Sequence, residues 1–353
     1  MKPLILSLFA LCLTVNGCLR ISWPEKCSPT DKAILLYAYS NDLEFKEVTD
    51  IYARVYGPIF WGDKTQYETA ATVRFDTVVK EDIMFHDNDT VFWSHQKAFY
   101  HLQDQKVDPS LRINNSETGS DVLDMLENFV DSNHTNLCGS VAVVLMKRHP
   151  KETEISKLVR KLRELRIVLR ILVQEPPSGG LHPETLYDLA AKTNVFCTFV
   201  NYSTWEDNQA TVPSVFKPYA YYSLNLKVSG IGSMILPSIT LTESVPMYLG
   251  ISVQSTANAV SFQNLTISWY NTQSGTSGSF NRTREQLSSK FYREDLQYSE
   301  LTSMNTIQLW DFLDEEATTY ELTLDYNYSM EDNILIRMNS KQPIDHWLPY
   351  QDN

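Results

Sequence analysis

An uninterrupted apolar run at residues 139–146, Gly-Ser-Val-Ala-Val-Val-Leu-Met, constrains this chain more than any other stretch. A strand that is apolar at successive positions presents nonpolar side chains to both faces of a sheet, so both faces must be covered. The middle strands of parallel sheets meet this condition, because crossover helices pack on each face. We therefore predict that residues 139–146 form the central strand of a doubly wound, mostly parallel six-stranded α/β domain.

The segments around this run alternate between strand and helix, as a parallel sheet with right-handed crossovers requires. The third helix is expected to begin with a capping box of Thr118 and Asp121, and Gly57-Pro58 is expected to end the first. Strands at 69–76 and 90–93 are expected to pair as an antiparallel edge. The remaining strands are predicted at 33–39, 167–173 and 195–200, the helices at 42–55, 118–130, 152–165 and 183–194, and a weakly helical segment at 94–105.

The character of the sequence changes after about residue 213, where helical periodicity stops and Ser, Thr, Tyr and Asn dominate. About seven short β-rich runs predict an all-β sandwich domain at 213–340, following an α/β domain at 32–205. Residues 271–286 are expected to be a long turn, and 341–353 a polar, mobile tail. The runs lie at 219–228, 238–242, 247–254, 260–269, 306–312, 319–326 and 333–338.

The first residues indicate export. Lys2, an apolar run from Leu4 to Val15 and a small residue at Gly17 predict a signal peptide at 1–17, followed by a lead at 18–31. About 12 apolar residues are too few to span a bilayer, and no later run is long enough, so we expect a secreted, extracellular protein without a transmembrane segment. The formal charge of −13 argues against nucleic acid as a partner.

Four cysteines remain after the predicted signal peptide, namely Cys18, Cys27, Cys138 and Cys197, and they allow three disulfide connectivities. Cys27 and Cys138 each precede a predicted strand. If those strands are parallel neighbours, the two sulfurs can meet at the N-terminal edge of the sheet. Cys197 lies inside an apolar strand, which is typical of a buried thiol.

Glycosylation sequons are frequent in this chain. Seven sequons behind a predicted signal peptide indicate that several carry glycan and therefore lie on exposed segments. The sequon residues are Asn88, Asn114, Asn133, Asn201, Asn264, Asn281 and Asn327.

Three loops follow predicted strands or precede the third helix at the edge where open α/β sheets bind ligands. They read Ala-Tyr-Ser-Asn-Asp at 38–42, Ser-Glu-Thr-Gly-Ser at 116–120 and Lys-Arg-His-Pro at 147–150. With the central strand and the closing segment 184–199, they make residues 30–200 resemble a von Willebrand factor A-type domain. The stretches 38–42 and 145–150 resemble a secreted nematode family that has a degenerate A-type domain and a β-rich C-terminal domain.

The resemblance implies a divalent-metal site built from Asp-x-Ser-x-Ser, a Thr and an Asp. Ser40 and Thr118 match that pattern, whereas Ala38 replaces the first Asp and Lys147 or Arg148 replaces the last. A hard dication needs oxygen ligands that include a carboxylate, and a cation in its place is repulsive. We therefore expect a degenerate site at Ala38, Ser40, Asp42, Thr118 and Lys147 that holds neither metal nor cofactor.

Two alternatives stay open for this edge. Asp42 stands where a Ser is expected and is able to rescue a weak metal site. The polar residues are also able to serve only as helix caps. If the edge binds a partner, its candidate ligand rim is Ser40, Asp42 and Thr118.

Residues 147–170 are strongly basic, with nine Lys and Arg against three Glu. This composition suits either an anion-binding face for acidic glycan or the solvated face of a helix whose other face is apolar.

Catalytic motifs do not appear in the sequence. Neighbouring carboxylates at Asp314-Glu315-Glu316 point to opposite faces of a strand, and histidines such as His86 and His182 show no paired spacing. The tyrosines at 219–222 suit a packed strand better than a sugar-stacking surface.

These features favour a non-catalytic, glycosylated binding or adhesion module whose partner is an extracellular protein or glycan. The family resemblance implies host defence or extracellular matrix as the setting. A secreted glycan hydrolase with an unrecognised site and a purely structural extracellular protein remain the alternatives.

Overall fold

The computed structural model describes residues 27–60, 65–201, 219–241, 248–254, 261–284, 304–308, 318–340 and 347–351. The first domain contains a six-stranded sheet in the order β3-β2-β1-β4-β5-β6, in which only β3 runs antiparallel to its neighbour. The prediction of a mostly parallel α/β domain with 139–146 at its centre is confirmed. The strands are β1 (Ala33–Ser40), β2 (Tyr67–Phe75), β3 (Met84–Phe85), β4 (Val141–Met146), β5 (Val168–Glu175) and β6 (Phe196–Asn201).

Helices cover both faces of this sheet. Ala142, Val144 and Met146 of β4 join an apolar cluster with the third, fourth and fifth helices, while the alternate β4 residues join a second cluster with the first two. Each β4 side chain is therefore buried on one face or the other, which explains the uninterrupted apolar run. The helices are α1 (Phe45–Phe60), α2 (Val91–Asp104), α3 (Val122–Val130), α4 (Ser156–Glu164) and α5 (Pro183–Lys192).

Some local predictions in this domain are wrong. Residues 90–93 do not form a strand, because Thr90 accepts a hydrogen bond from the backbone amide of Trp93 and starts α2. The antiparallel edge strand lies earlier, at Met84–Phe85. Gly57-Pro58 does not end α1, which continues to Phe60. The Thr118 capping box is also wrong, since α3 begins at Val122 with Asp121 as N-cap and no side-chain cap bond.

The second domain is an antiparallel β domain. Strand β12 pairs with β7 along its length on one side, and on the other side first with β9 and then with β8. One apolar cluster contains residues from both halves of β12, so the sheet bends around a single core. The strands are β7 (Tyr219–Thr240), β8 (Tyr248–Gln254), β9 (Phe262–Asn271), β10 (Ser277–Thr283), β11 (Met304–Gln308) and β12 (Thr319–Ser340).

This domain departs from the predicted strand pattern in two respects. β7 and β12 each combine two predicted short strands, and β12 crosses its polar middle through a register shift between Tyr328 and Asp332. β10 lies within the predicted turn at 271–286, because its polar sequence occupies an edge of the sheet where alternating apolar side chains are not required.

A disulfide joins Cys27 to Cys138 with Cα atoms 5.2 Å apart. The two cysteines precede β1 and β4, which are parallel neighbours, so the geometry anticipated for this pair is confirmed. Cys18 lies outside the described residues. Cys197 is a buried thiol in β6, and burial raises the pKa of this thiol.

The C-terminal segment, residues 347–351, packs against the first domain. The indole Nε1 of Trp347 donates to the carbonyl of Cys27 at 3.1 Å, and Arg163 stacks over the Tyr350 ring at 4.9 Å. The Gln351 side chain accepts from the backbone amide of Asn225 in β7 at 2.9 Å. These residues of the predicted polar tail therefore contact both domains.

The surface carries most of the sequons. Asn88, Asn114, Asn133, Asn264 and Asn281 are exposed, and Asn327 is half-buried, whereas the side chain of Asn201 lies outside the described part. Within the residues that the structure describes, no helix has the length and apolar character needed to cross a membrane.

The disulfide should contribute strongly to stability, because it closes a loop with a sequence separation of 111 residues. Replacing Cys27 and Cys138 together by Ala should lower the free energy of unfolding by about 2–5 kcal/mol, measured by chemical denaturation. A non-reducing digest should yield one linked peptide containing both residues. A different linkage, or an unchanged denaturation midpoint, would contradict the assignment.

Candidate functional site

A buried polar cluster lies at the edge of the first sheet where β1, β2, β4 and β5 end. Asp42 follows β1, Asp76 follows β2, Arg148 follows β4 and Ser178 follows β5. Ser120, in the residues before α3, completes the cluster. Carboxyl ends of parallel strands meet at one edge, which is why residues distant in sequence come together here.

Arg148 fills the centre of this edge and is only 2% exposed. Its Nε and Nη2 atoms lie 3.0 and 2.9 Å from Asp42 Oδ2. Nη1 donates to the carbonyls of Asn115 and Thr118 at 2.9 and 2.5 Å, and Nη2 donates to the carbonyl of Ile113 at 2.9 Å. These contacts comprise four hydrogen bonds and one ion-pair distance, and they engage all three guanidinium nitrogens.

The loop after β5 is shaped to admit the Arg148 guanidinium. A Cβ atom on Gly179 would lie 2.2 Å from Arg148 Nη1 and 2.7 Å from the Ser116 carbonyl, so only glycine fits there. The backbone amide of His149 donates to the Gly179 carbonyl at 2.8 Å. Ser178 Oγ donates to Asp42 and thereby joins this loop to the ion pair.

Asp76 forms a second buried centre beside the ion pair. Its carboxylate accepts hydrogen bonds from Ser40 Oγ at 2.5 Å and from Ser120 Oγ at 2.6 Å. The Asp76 amide donates to Asp121 Oδ1 at 2.9 Å, which fixes a residue with a positive φ of 60°. Burial raises the pKa of Asp76 to about 7, although the two serine hydroxyls oppose the shift.

The structure places the residues of the predicted degenerate site as follows. Ala38 is buried within β1, and Ser40 and Asp42 are buried at its end, so neither polar side chain belongs to a solvent-exposed ligand rim. Thr118 is half-buried, and its carbonyl binds Arg148. The base that enters the site is Arg148 rather than Lys147, whose carbonyl accepts from the Ser178 amide at 2.7 Å.

Sequence reasoning missed three members of the cluster: Asp76, Ser120 and Ser178. Asp76 had a usable signal, because it directly follows an apolar strand run at the ligand-binding edge. The pattern alone places it as the last residue of the predicted strand at 69–76. Ser178 carried no comparable signal, since its role depends on how the 176–180 loop folds over Arg148.

The basic segment 147–170 does not form a single anion-binding face. Arg148 is buried and bonded within the polar cluster, and Arg163 donates to the carbonyls of Lys192 and Gln351. Other members form ion pairs with acidic neighbours: Lys151–Glu152, Lys157–Glu127, Arg160–Glu164 and Lys161–Asp131.

Within the described ranges, no group of three or more His, Cys, Asp or Glu side chains is arranged to hold a metal ion. The carboxylates at 314–316 lie outside those ranges. His149 Nε2 lies 3.4 Å from Glu175 Oε1, with both side chains largely buried at the same edge.

Comparisons with known proteins give little further information. The profile of a family described as a domain of unknown function (DUF7154) matches residues 224–341, which lie in the β domain. No curated protein matches the sequence.

Some solved structures align weakly with parts of the chain. The Yersinia pseudotuberculosis-derived mitogen is 10% identical over 34% of this chain and 84% of its own, with a TM-score of 0.20. The Clostridium perfringens CspB protease is 8% identical over 62% of this chain and 38% of its own, with a TM-score of 0.22. The cysteine peptidase Peruvianin-I from Thevetia peruviana latex is 7% identical over 36% and 56%, with a TM-score of 0.17. TM-scores of 0.17 to 0.22 are too low to indicate a shared fold or activity.

Arg148→Ala should destabilise the first domain by about 3–5 kcal/mol, because it leaves the Asp42 carboxylate buried without its counter-charge. Chemical denaturation measures the change. Arg160→Ala is the matched control, since its side chain is 69% exposed and its ion pair is loose at 3.9 Å. Equal effects of the two substitutions would contradict the role assigned to Arg148.

Asp76→Asn should flatten the dependence of stability on pH. The folded state holds the Asp76 proton more tightly than an Asp with the ordinary pKa of 3.8 does. Protonation of Asp76 therefore stabilises the folded state at low pH, and this stabilisation is lost as pH rises through about 7. Between about pH 5 and pH 8 the wild type should lose on the order of 2 kcal/mol relative to the variant.

The comparison between wild type and Asp76→Asn isolates this residue from other buried titrating groups. The pKa values of His86 and His95 are lowered by burial to about 4, and that of Asp332 is raised by burial to about 6. These groups are common to both proteins and cancel in the difference. Parallel curves of unfolding free energy against pH would contradict the assignment.

Proposed function

We propose that this chain is a secreted, glycosylated, non-catalytic binding module. Its first domain is a von Willebrand factor A-type scaffold in which a fixed side-chain cation replaces the bound metal, and its second is a β-sandwich-like domain. Its partner is an extracellular protein or glycan, bound without a divalent ion.

The Arg148 guanidinium is the observation that carries this proposal. It lies at the sheet edge where the resemblance implies a metal, and it binds Asp42 and three backbone carbonyls through all three of its nitrogens. A fixed cation offers oxygen ligands the same sign of charge as a metal, but it cannot exchange or be chelated. Binding through this edge is therefore expected to be independent of chelators.

The topology supports the A-type assignment. The mostly parallel six-stranded sheet with helices on both faces agrees with the doubly wound domain that the resemblance implies. The disulfide and the exposed sequons support an extracellular location.

The surface above the ion pair supports a binding role. Ser116, Glu117, Lys151, Pro176 and Pro177 are exposed around the buried cluster, and Leu181 is 72% exposed. The Ile113, Asn115 and Thr118 carbonyls are held by Arg148, so part of this rim is fixed before any partner arrives. A pre-organised loop loses little conformational entropy on binding.

The arrangement around Ser178 favours binding over hydrolysis. The Ser178 hydroxyl donates to Asp42, a carboxylate already paired with Arg148, and to the Lys147 carbonyl, but not to His149, the imidazole that would activate it as a nucleophile. The Ser178 hydroxyl is therefore not bonded to the neighbouring His149–Glu175 pair.

Binding of the glycosylated protein to a glycan array and to a panel of purified matrix proteins tests this function. At least one saturable interaction should persist unchanged in EDTA. The double variant Glu117→Lys with Lys151→Glu should weaken it at least tenfold, because it reverses two rim charges. Glu321→Lys, at an exposed position of β12, is the control and should leave binding intact.

Two results would contradict the proposed function. Loss of binding in EDTA would show that a metal is required after all. Absence of saturable binding across both panels would remove the support for a binding module.

A further inference from the structure

Three predicted glycosylation sites lie on one face of the β domain. Asn281 is on β10, Asn264 on β9 and Asn327 on the first half of β12, and these strands are consecutive neighbours in the sheet. Side chains alternate between the two faces of a strand, and the residue beside each asparagine packs in or against the apolar core. The three asparagines therefore point to the opposite face, which we call the outer face of the β domain. The core neighbours are Phe280, Leu265 and Tyr326.

The strand register brings these asparagines close together. Asn327 lies directly opposite Asn264, which places their Cβ atoms about 4.5–5.5 Å apart. Asn281 pairs with Thr266, two residues along β9 from Asn264, so the diagonal distance between the two asparagines is about 7–8 Å. Within the residues that the structure describes, no hydrogen bond engages the side-chain amide of any of the three. Each amide nitrogen is therefore available to carry a sugar.

An exposed apolar residue completes this row of side chains. Ile231 on β7 pairs with Asn327 on the side away from Asn264, so their Cβ atoms are also about 4.5–5.5 Å apart. The Ile231 side chain is 84% exposed. Ile235 lies on the same face of β7 and is 85% exposed, but it is four residues, or about 13 Å, farther along the strand. A group attached to Asn327 thus meets Ile231 before it meets Ile235.

Strand β7 is also a sheet edge that carries no charge over its second half. Among the described residues it pairs only with β12, and residues 228–241 include no Asp, Glu, Lys or Arg. Soluble proteins protect sheet edges with devices such as charged side chains or a covering segment, because an unprotected edge pairs with another chain. The second half of the β7 edge therefore needs another form of protection, and Asn327 is one strand away from it.

From the register of the outer face and the uncharged β7 edge, we propose that Asn327 carries an N-linked glycan whose first N-acetylglucosamine packs on Ile231 and shields this edge. The inference rests on the proposed secretion and glycosylation of the chain. The C–H groups of the pyranose ring and the acetyl methyl group remove apolar Ile231 surface from water, while the sugar hydroxyls stay solvated. A bulky, hydrophilic glycan at this position keeps a second chain from adding to β7.

Attachment of the glycan is a transfer onto the Asn327 amide, with a lipid-linked oligosaccharide diphosphate as the donor. Nδ2 forms a bond to C1 of the first sugar, and the bond between C1 and the diphosphate oxygen breaks. The amide releases one proton as the lipid diphosphate leaves. The sequon Asn327-Tyr328-Ser329 is modified in the extended chain during export, before Asn327 becomes half-buried in the folded sheet.

Glycopeptide mass spectrometry of the protein secreted from eukaryotic cells tests the attachment. Asn327 should carry a glycan. An unmodified Asn327 in a chain with glycan at Asn88 or Asn133 would overturn this inference and leave the proposed function standing. A chain without glycan at any sequon would overturn this inference and also contradict the glycosylated character of the proposed module.

Methyl NMR of protein trimmed by an endoglycosidase to a single N-acetylglucosamine per site tests the contact. A nuclear Overhauser effect between the acetyl methyl of the sugar on Asn327 and the δ methyl of Ile231 is expected. Ile235 is the matched control, since it is almost equally exposed on the same face of β7, and it should show no such effect. A sugar on Asn327 that gives no effect to Ile231 would overturn the proposed contact.

Sedimentation equilibrium tests the shielding. Asn327→Gln should self-associate at least tenfold more tightly than the wild type, because it leaves Ile231 and the β7 edge uncovered. Asn264→Gln and Asn281→Gln remove sequons of the same face that lie two and three strands from β7, so both should sediment like the wild type. Ile231→Ser added to Asn327→Gln should weaken the association again.

If Asn327→Gln is not secreted, Ser329→Ala removes the sequon and keeps the asparagine. Sedimentation of these variants identical to that of the wild type would overturn the shielding role. Self-association of the glycosylated wild type that Ile231→Ser abolishes would overturn it as well, because a second copy of the chain would then cover Ile231.

Discussion

The ion pair between Arg148 and Asp42 is the interaction on which the C-terminal edge of the first sheet depends. One guanidinium binds the residue after β1, three carbonyls of the loop before α3 and, through Asp42, the loop after β5. A buried pair adds little net stability over an apolar packing, but removing one member is costly. Its main effect here is geometric, because five donors in a fixed plane allow few arrangements of the surrounding loops.

The elements that the sequence predicted well are those with a strong local pattern. The fully apolar β4 and the alternation of strands and helices led to the correct sheet. The placement of Cys27 and Cys138 before two strands showed that these sulfurs could meet if the strands were parallel neighbours, and the structure shows that they do, although the sequence left the connectivity open. The strand predicted at 90–93 is wrong. Val, Phe and Trp at 91–93 favour strands, but the Thr90 cap and the burial of Ser94, Ala98 and Leu102 favour a helix.

The candidate site was harder to predict because it depends on tertiary contacts. Lys147 and Arg148 follow β4 directly, and neighbouring residues of an extended chain point to opposite sides. The sequence therefore shows that a basic residue replaces the expected carboxylate, but it does not show whether Lys147 or Arg148 occupies the site. The participation of Asp76 depends on the pairing of β2 with β1, and that of Ser178 depends on a glycine-containing loop that closes over Arg148.

The contact between Trp347 and Cys27 fixes the edge of the first sheet at which the two ends of the described chain lie. It brings residues near both ends of the described chain to the N-terminal edge of the first sheet, while Arg148 lies at the other edge, about 20 Å away along β4. Attachment through either of these ends, to a surface, a fusion protein or a neighbouring molecule, leaves the loops around Arg148 directed outward. The fold thus places the Cys27–Trp347 contact and the loops around Arg148 at opposite edges of the first sheet.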